Sequence, residues 1–451
     1  MRRRKEMIKI PKEVKRIMKT LEDRQFKAYA VGGCVRDCLT GLKPYDWDVA
    51  TSAGFGDLTE LFPDAKVISE KYSVVRLEFI DEVYDREGDF VGEEGVIVDI
   101  ATFRKSNVKS GGAQGDGCGI AEVEFAETVE DDLTRRDFTM NALADNGYEL
   151  VDPFGGREDI KNRLVKTIGD PAESFKEDPV RMLRAIRHAA ELDFDLTQSV
   201  YEAICANYRL LEKISIDRFR NEFVNILNAS NAGKGLSLLM DTGIINLILG
   251  DDVVKRLTRR EKNDLVILSQ NIDRSKQVPE RRLGLFYITM DKKKAMPSIE
   301  KFNFDSKTRQ HLIDAVSDMP KLYFASTKEL LKKFIYERGM ERYNYLANLE
   351  KAQRIVFDYD SETKIKSKMY LLEEIHALNE PIFVEDLAID GNDLIEAGIC
   401  EADEVGRILS LVVERTHIKP NLNKRSELLK LAKLYKKSKV AAATRGVKWL
   451  R

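Results

Sequence analysis

The sequence predicts a small α/β head followed by a long, all-helical region. Three observations lead there. Up to about residue 155, short apolar runs that read as strands are separated by glycine-containing turns. Beyond that point apolar residues recur at helical spacing and strand-like runs stop. The composition, 43% hydrophobic and 33% charged over 451 residues, suits a helix-rich protein with room for several domains. The expected division is a head at 1–155, a helical neck at 156–230, a helical body at 231–350 and a helical tail at 351–451.

Residues 11–25 open the chain as an amphipathic helix, with Val14, Ile17, Met18 and Leu21 on one face. Tyr29-Ala30-Val31 ends a buried strand. Gly32-Gly33 follows, where no Cβ keeps a ligand from the backbone. A short helix then leads to Asp46-Trp47-Asp48-Val49. On a strand, residues two apart share a face, so both carboxylates point one way and Trp47 and Val49 the other. Two like charges side by side repel, and a divalent cation relieves that. Mg²⁺ binds one or two carboxylates together with substrate phosphates, and two such ions can clamp an in-line phosphoryl displacement. An acidic pair in a turn after Pro44 is the plainer alternative for Asp-x-Asp alone.

The second half of 66–80 reads as a strand, 81–95 as a solvated hairpin tip, and 96–104 as a further strand. Asp99, alone among apolar residues there, is a candidate third acid near the metals. Residues 105–122 hold five Gly and almost no apolar anchor, so the loop should be mobile. Arg135-Arg136-Asp137 follows. Adjacent guanidiniums can neutralise a triphosphate, and the Asp can accept from a ribose hydroxyl. Asp178-Pro179 reads as an N-cap followed by a first-turn proline, with Arg181 on the same face. Arg218 and Glu222, four apart on a later helix, read as a stabilising pair. Residues 231–350 carry helical periodicity without identifiable chemistry. From Lys424 to Arg451 the chain is Lys/Arg-rich; Lys430, Lys433, Lys436 and Lys437 are either a solvated helix face or contacts to nucleic-acid phosphates.

Several of these motifs share one resemblance. Val-Gly-Gly-x-Val-Arg-Asp (31–37) with Asp46-x-Asp48 resembles motif A of class II tRNA nucleotidyltransferases (CCA-adding enzymes) and bacterial poly(A) polymerases, in the DNA polymerase β nucleotidyltransferase superfamily. Arg135-Arg136-Asp137-Phe138-Thr139-Met140-Asn141-Ala142 is similar to the family's motif B, Glu177-Asp178-Pro179-Val180-Arg181 to motif D, and 214–223 to motif E. The resemblance implies a polymerase-β-like nucleotidyltransferase head followed by an all-α neck, body and tail. It implies that tRNA is extended at its 3′ end by C, C and A, from CTP and ATP, with loss of pyrophosphate and no template. Asp46 and Asp48, with Asp99 as a candidate, would hold two Mg²⁺. Gly32, Gly33, Arg36, Arg135, Arg136, Asp137, Asn141, Asp178, Arg181 and Arg184 would bind the nucleotide. The helices would take the tRNA acceptor arm. The Gly-rich loop corresponds to one proposed to help the family switch from C to A addition, although relatives carry a more Arg/Asp-rich version.

The Asp178/Arg181 pair has its own logic. It offers an acceptor beside a fork of donors. Cytosine and adenine present an amino donor next to an acceptor nitrogen; uracil and guanine present the reverse. The pair can therefore accept C and A and reject U and G.

Composition narrows the alternatives. A net charge of −2 argues against a chain coated with nucleic acid, yet allows local basic patches. Five scattered Cys have no zinc spacing and predict no disulfide framework. None of the four His precedes an Asp, so a His-Asp phosphohydrolase domain is not expected. No apolar run is long enough to span a bilayer, and no apolar signal core follows the basic N-terminus, so a cytoplasmic protein with no membrane partner is expected. A poly(A) polymerase, a CC-only or A-only enzyme, and a non-catalytic RNA-binding protein remain alternative readings.

Overall fold

The computed structural model describes residues 8–44, 46–84, 90–105, 124–357 and 362–437. The Gly-rich loop 105–122, apart from Lys105, and the chain beyond Lys437 lie outside the described residues. The chain divides into two compact units, Met1–Leu247 and Ile248–Arg451.

The first unit is built on a seven-stranded sheet. Its strands are β1 (Ala28–Val31), β2 (Asp46–Thr51), β3 (Lys66–Ser69), β4 (Val74–Tyr84), β5 (Phe90–Thr102), β6 (Ala144–Asp145) and β7 (Leu150–Val151), in the spatial order β3-β4-β5-β2-β1-β6-β7. Within this sheet only β2 and β5 pair in parallel; a separate short parallel pair, Leu164–Val165 with Asp195–Leu196, lies in the stretch expected to be wholly helical. β4 and β5 reach further than expected. Pairing continues from Val74↔Ala101 out to Tyr84↔Phe90, so most of 81–95, expected as a hairpin tip, is ladder. Gly95 makes this possible, because a Cβ there would collide with the Phe79 carbonyl across the ladder.

Helix α1 (Lys12–Asp23) buries Val14, Ile17, Met18 and Leu21, the face read from the sequence. Helix α2 (Gly33–Thr40) starts directly at the end of β1. Helices α3 (Phe55–Leu61) and α4 (Val129–Thr134) flank the sheet, and α5 (Gly156–Lys161) packs beside the Thr139–Asn141 turn. Then come α6 (Pro171–Glu177), α7 (Val180–Leu192), α8 (Gln198–Asn207), α9 (Ile216–Asn228) and α10 (Ala232–Asp241). α7 packs against both α9 and α10, burying Met182, Leu183, Ile186, Phe219, Phe223 and Ile226.

The second unit is helical throughout its described length. Ser306–Phe324 packs on Pro279–Tyr287 and Met340–Phe357, and Val405–Ile418 on Arg425–Lys437. No described helix is long and apolar enough to cross a membrane.

Candidate nucleotidyl-transfer site

Strand β2 sets the site. Trp47 and Val49 are buried at 2% and 1% exposure, while Asp46 and Asp48 open the other way. The alternation predicted from sequence is therefore present. Register places Val31 opposite Asp48 on one side and Asp99 beside Asp48 on the other. Gly32 is in the left-handed region at φ 78°, and a Cβ there would come within 2.5 Å of Arg136 Nη1. The positive φ favours glycine here, and a side chain would also displace the end of Arg136.

These carboxylates lie on a cleft of about 700 Å³. Its walls bring together Gly33, Arg36, Asp46, Asp48, Asp99, Arg135, Arg136, Asp137, Asn141, Asp178, Arg181 and Arg184 from five separate stretches of chain. Of the nucleotide-site residues expected from sequence, Gly32 alone does not line it, yet its neighbours Val31 and Gly33 do. A second cavity, of about 740 Å³, lies among Leu39, Leu42, Arg157 and Phe194. Its carboxylates, Asp152, Glu158 and Glu191, come from separate elements and not from one strand face.

Burial and the like charges of Asp99, Asp46 and Asp132 push the Asp48 carboxyl up, against the pull of Arg136. A cation would relieve that. Among the described residues no group of three or more His, Cys, Asp or Glu is placed to hold a metal ion. A pair such as Asp46 and Asp48 would fit an ion that takes its other ligands from phosphate and water. Asp99 is otherwise engaged. Arg76 donates to both its oxygens, at 2.7 and 2.8 Å.

Asp132 sits under the arginines. It is 1% exposed and accepts from Arg104 N (3.1 Å), Arg135 Nε (2.9 Å) and Arg136 Nη2 (3.1 Å). Burial alone would raise its carboxyl, but the Arg136 and Arg135 guanidiniums outweigh it and hold it low. One carboxylate thus holds two guanidiniums and the Arg104 backbone N–H. The Nε atoms of Arg104 and Arg136 are buried with no hydrogen-bond partner among the described residues. Such a cluster suits a polyanion. Arg104 also lies over the Tyr72 ring at 5.2 Å. Neither Asp132 nor Arg104 is visible as a site residue in the sequence. The signal available was an Asp three and four residues before Arg135 and Arg136, the spacing of neighbours on a helix.

Asp137 is buried. Its Oδ1 accepts from Phe138 N (2.9 Å) and Asn141 Nδ2 (3.0 Å), and Arg184 Nη2 lies 2.7 Å from Oδ2. Asn141 Oδ1 accepts from Arg36 Nη1 at 2.7 Å. Arg36 thus ties α2 to the Thr139–Asn141 turn.

The Asp178/Arg181 pair differs from expectation in its partners. Helix α7 begins at Val180, and Asp178 accepts from Val180 N (3.2 Å) without being its N-cap. Arg218 of α9 donates to both Asp178 oxygens, at 3.1 and 2.8 Å. Arg181 donates to Ser174 Oγ (2.9 Å), Glu177 Oε2 (2.7 Å) and the Arg135 carbonyl (3.2 Å). The expected Arg218–Glu222 pair is replaced by longer-range bonds. Glu222 accepts instead from Arg187 Nε at 2.7 Å, because α7 packs against α9.

In the second unit, Lys430 pairs with Glu427 and Lys436 with Glu404, while Lys433 is exposed. The Lys437 side chain lies outside the described residues.

With this geometry in hand, comparison with known proteins is informative. Residues 28–166 match the family described as "Poly A polymerase head domain", and residues 193–251 match "Probable RNA and SrmB- binding site of polymerase A". The chain is 38% identical over 229 residues to a CCA-adding enzyme of Geobacillus sp. (strain WCH70), spanning about half the length of that relative (51% of this chain, 52% of that one). It is 29% identical over 399 residues to a CCA-adding enzyme of Lactobacillus helveticus, covering 88% of this chain and 90% of the relative. Its fold is similar to the crystal structure of the Bacillus stearothermophilus CCA-adding enzyme in complex with CTP, with a TM-score of 0.72 and 26% identity over 96% of this chain and 98% of that one.

Proposed function

We propose that this chain is a tRNA nucleotidyltransferase of the poly(A) polymerase family and that it adds C, C and A to the 3′ end of tRNA from CTP and ATP, without a template. One observation carries the reading. The carboxylates of β2, the Arg135-Arg136 cluster and the Asp178/Arg181 pair all face one cleft, although they lie up to 135 residues apart (46 to 181).

In this reading the terminal tRNA hydroxyl attacks the α-phosphate of the nucleotide. A new phosphodiester forms, the bond to the β-phosphate oxygen breaks and pyrophosphate leaves. Asp46 and Asp48 would hold two Mg²⁺, which when bound neutralise phosphate charge and align the attacking and leaving oxygens. Asp99, held by Arg76, is at most a neighbour of that site. Arg135, Arg136 and Arg104 take the triphosphate. Asp137 and Asn141 face the ribose, with Arg184 beside them. Asp178, held by Arg218, accepts from the amino group of C or A, and Arg181 donates to the ring nitrogen. Gly32 and Gly33 keep the floor open, and Arg36 braces the ribose side. Catalysis on these terms is positioning and charge stabilisation.

Head (1–155), neck (156–230), body (231–350) and tail (351–451) are the functional divisions we assign. The tail carries Lys430, Lys433, Lys436 and Lys437 toward the phosphates of the tRNA acceptor arm. The location in keeping with this substrate is the cytoplasm. The test is incubation with tRNA lacking its 3′ CCA and each labelled nucleotide, followed by sequencing of the ends. Ends completed to CCA support the reading. A run of A, addition of C or A alone, or no addition would each refute it.

A further inference from the structure

Asn141 is held at three points, and the third is a histidine. Arg36 Nη1 donates to Asn141 Oδ1, which fixes the end of the amide that carries hydrogens. Asn141 Nδ2 donates to Asp137 Oδ1. The same nitrogen faces His188 Nε2 at 3.4 Å. An amide nitrogen only donates, so Nε2 must accept, and in a neutral imidazole the proton then sits on Nδ1. Nδ1 lies 3.5 Å from Glu191 Oε2, an electrostatic contact without hydrogen-bond geometry. That carboxylate is clamped by Arg187 Nη1 at 3.1 and 2.9 Å, and Arg187 reaches Glu222 on α9. The Phe138 ring meets the imidazole edge-on, with centroids 5.6 Å apart and planes at 89°. The histidine is 3% exposed, and burial pushes its pKa down to about 4.

We propose that His188 is a positioning residue for the sugar-facing pair Asp137 and Asn141. Through a single tautomer it ties Asn141 to the Glu191–Arg187–Glu222 chain and so sets the choice of ribose over deoxyribose. This rests on the reading of Asp137 and Asn141 as the ribose contacts. The imidazole touches no reacting atom; it orients the amide that does the reading, as outer-shell partners orient ligands elsewhere.

The test uses the full chain, tRNA lacking its CCA end, and single-turnover addition of CTP and dCTP. His188→Phe keeps the ring but removes the hydrogen bond to Asn141 and the contact with Glu191. It should lower the preference for CTP over dCTP on the order of tenfold, the effect of losing one hydrogen bond that holds a reading group, with the dCTP rate unchanged. His188→Gln, which restores an acceptor, should hold the preference within about threefold of the parent. An unchanged preference in His188→Phe, beside a lost one in Asn141→Ala, overturns the role of the histidine alone. An unchanged preference in Asn141→Ala overturns the ribose reading and the histidine's role with it. Independently of activity and of any variant's folding, ¹⁵N-histidine spectra of the unmodified chain should show one neutral imidazole protonated on Nδ1, identified by its loss in His188→Gln. A proton on Nε2 would overturn the proposal.

Discussion

Replacing Asp132 by Asn tests whether the triphosphate pocket is held from below by one charge. The substitution preserves shape and removes a buried anion that two guanidiniums and one backbone N–H share. The new amide also turns hydrogens toward donors that have nowhere else to go. Breaking a fully buried pair costs about 3–5 kcal/mol. Here the Arg135 and Arg136 side chains are 25% and 16% exposed, so cleft water screens part of the residual repulsion. We therefore expect a loss of about 2–3 kcal/mol. In a unit of this size that lowers the thermal midpoint by about 4–12 °C. Binding should suffer in parallel, with KM for CTP rising on the order of tenfold as Arg135 and Arg136 lose their fixed geometry. pH gives a second signature. The Asp132 carboxyl is held below its ordinary value, so its stabilisation is present above the unfolded carboxylate pKa and is lost as pH falls through the folded one. The variant should lack that share of acid sensitivity. Thermal melts from pH 7 down to pH 3, together with CTP titrations, read both effects. A variant that melts within about 1 °C of the parent and keeps its KM would refute the reasoning.

Asp46→Ala and Asp48→Ala should each abolish addition while leaving tRNA binding intact, and chelation should do the same to the parent until Mg²⁺ is restored; near-normal turnover in either variant would rule that carboxylate out. Asp178→Ala and Arg181→Ala should each relax the preference for CTP and ATP over UTP and GTP by roughly tenfold to a hundredfold, from about 1–3 kcal/mol per unpaired group, read by single-turnover addition of all four nucleotides. For His188 the folded pKa of about 4 lies below the unfolded value of 6.5, so its neutral, buried state stabilises fully above pH 6.5 and loses that contribution as pH falls toward 4. The groups facing it are Asp137 and Asn141 from the turn, Arg36 from α2, and Arg187 and Glu191 from its own helix. Chemical denaturation should show His188→Phe losing about 3 kcal/mol less than the parent over that window; identical slopes would mean the imidazole is not buried neutral.

Local pattern carried much of this site. Asp46 and Asp48 are legible because a strand has a period of two, and Trp47 and Val49 between them declare which face is core. The α1 face is legible for the same kind of reason. Partners were harder to read wherever a side chain bonds across helices. Arg218 and Glu222 have the right spacing for each other, yet the packing of α7 on α9 offers Asp178 and Arg187, and the longer-range bonds win. Asp99 reads from sequence as a paired charge or a third acid near the metals, and its partner Arg76 stands opposite it only once β4 and β5 pair in their actual register. The hairpin read at 81–95 is present, but its ladder runs further into the segment than expected, because acidic residues and Gly mark turns on average whereas here Gly95 admits a close ladder. His188 gave no signal at all; its meaning depends on Asn141, 47 positions away.

The parallel pairing of β2 with β5 has a kinetic consequence. β2 is an interior strand, and one of its two neighbours arrives only after β3, β4 and the start of β5 have been made. Closing a parallel pair across so many intervening residues is slow, because chain entropy is lost before the ladder compensates for it. The face that carries Asp46 and Asp48 is therefore completed late, once β5 has docked. Until β5 docks, β2 lacks one neighbour and the cleft lacks the wall that carries Asp99 and Ala101.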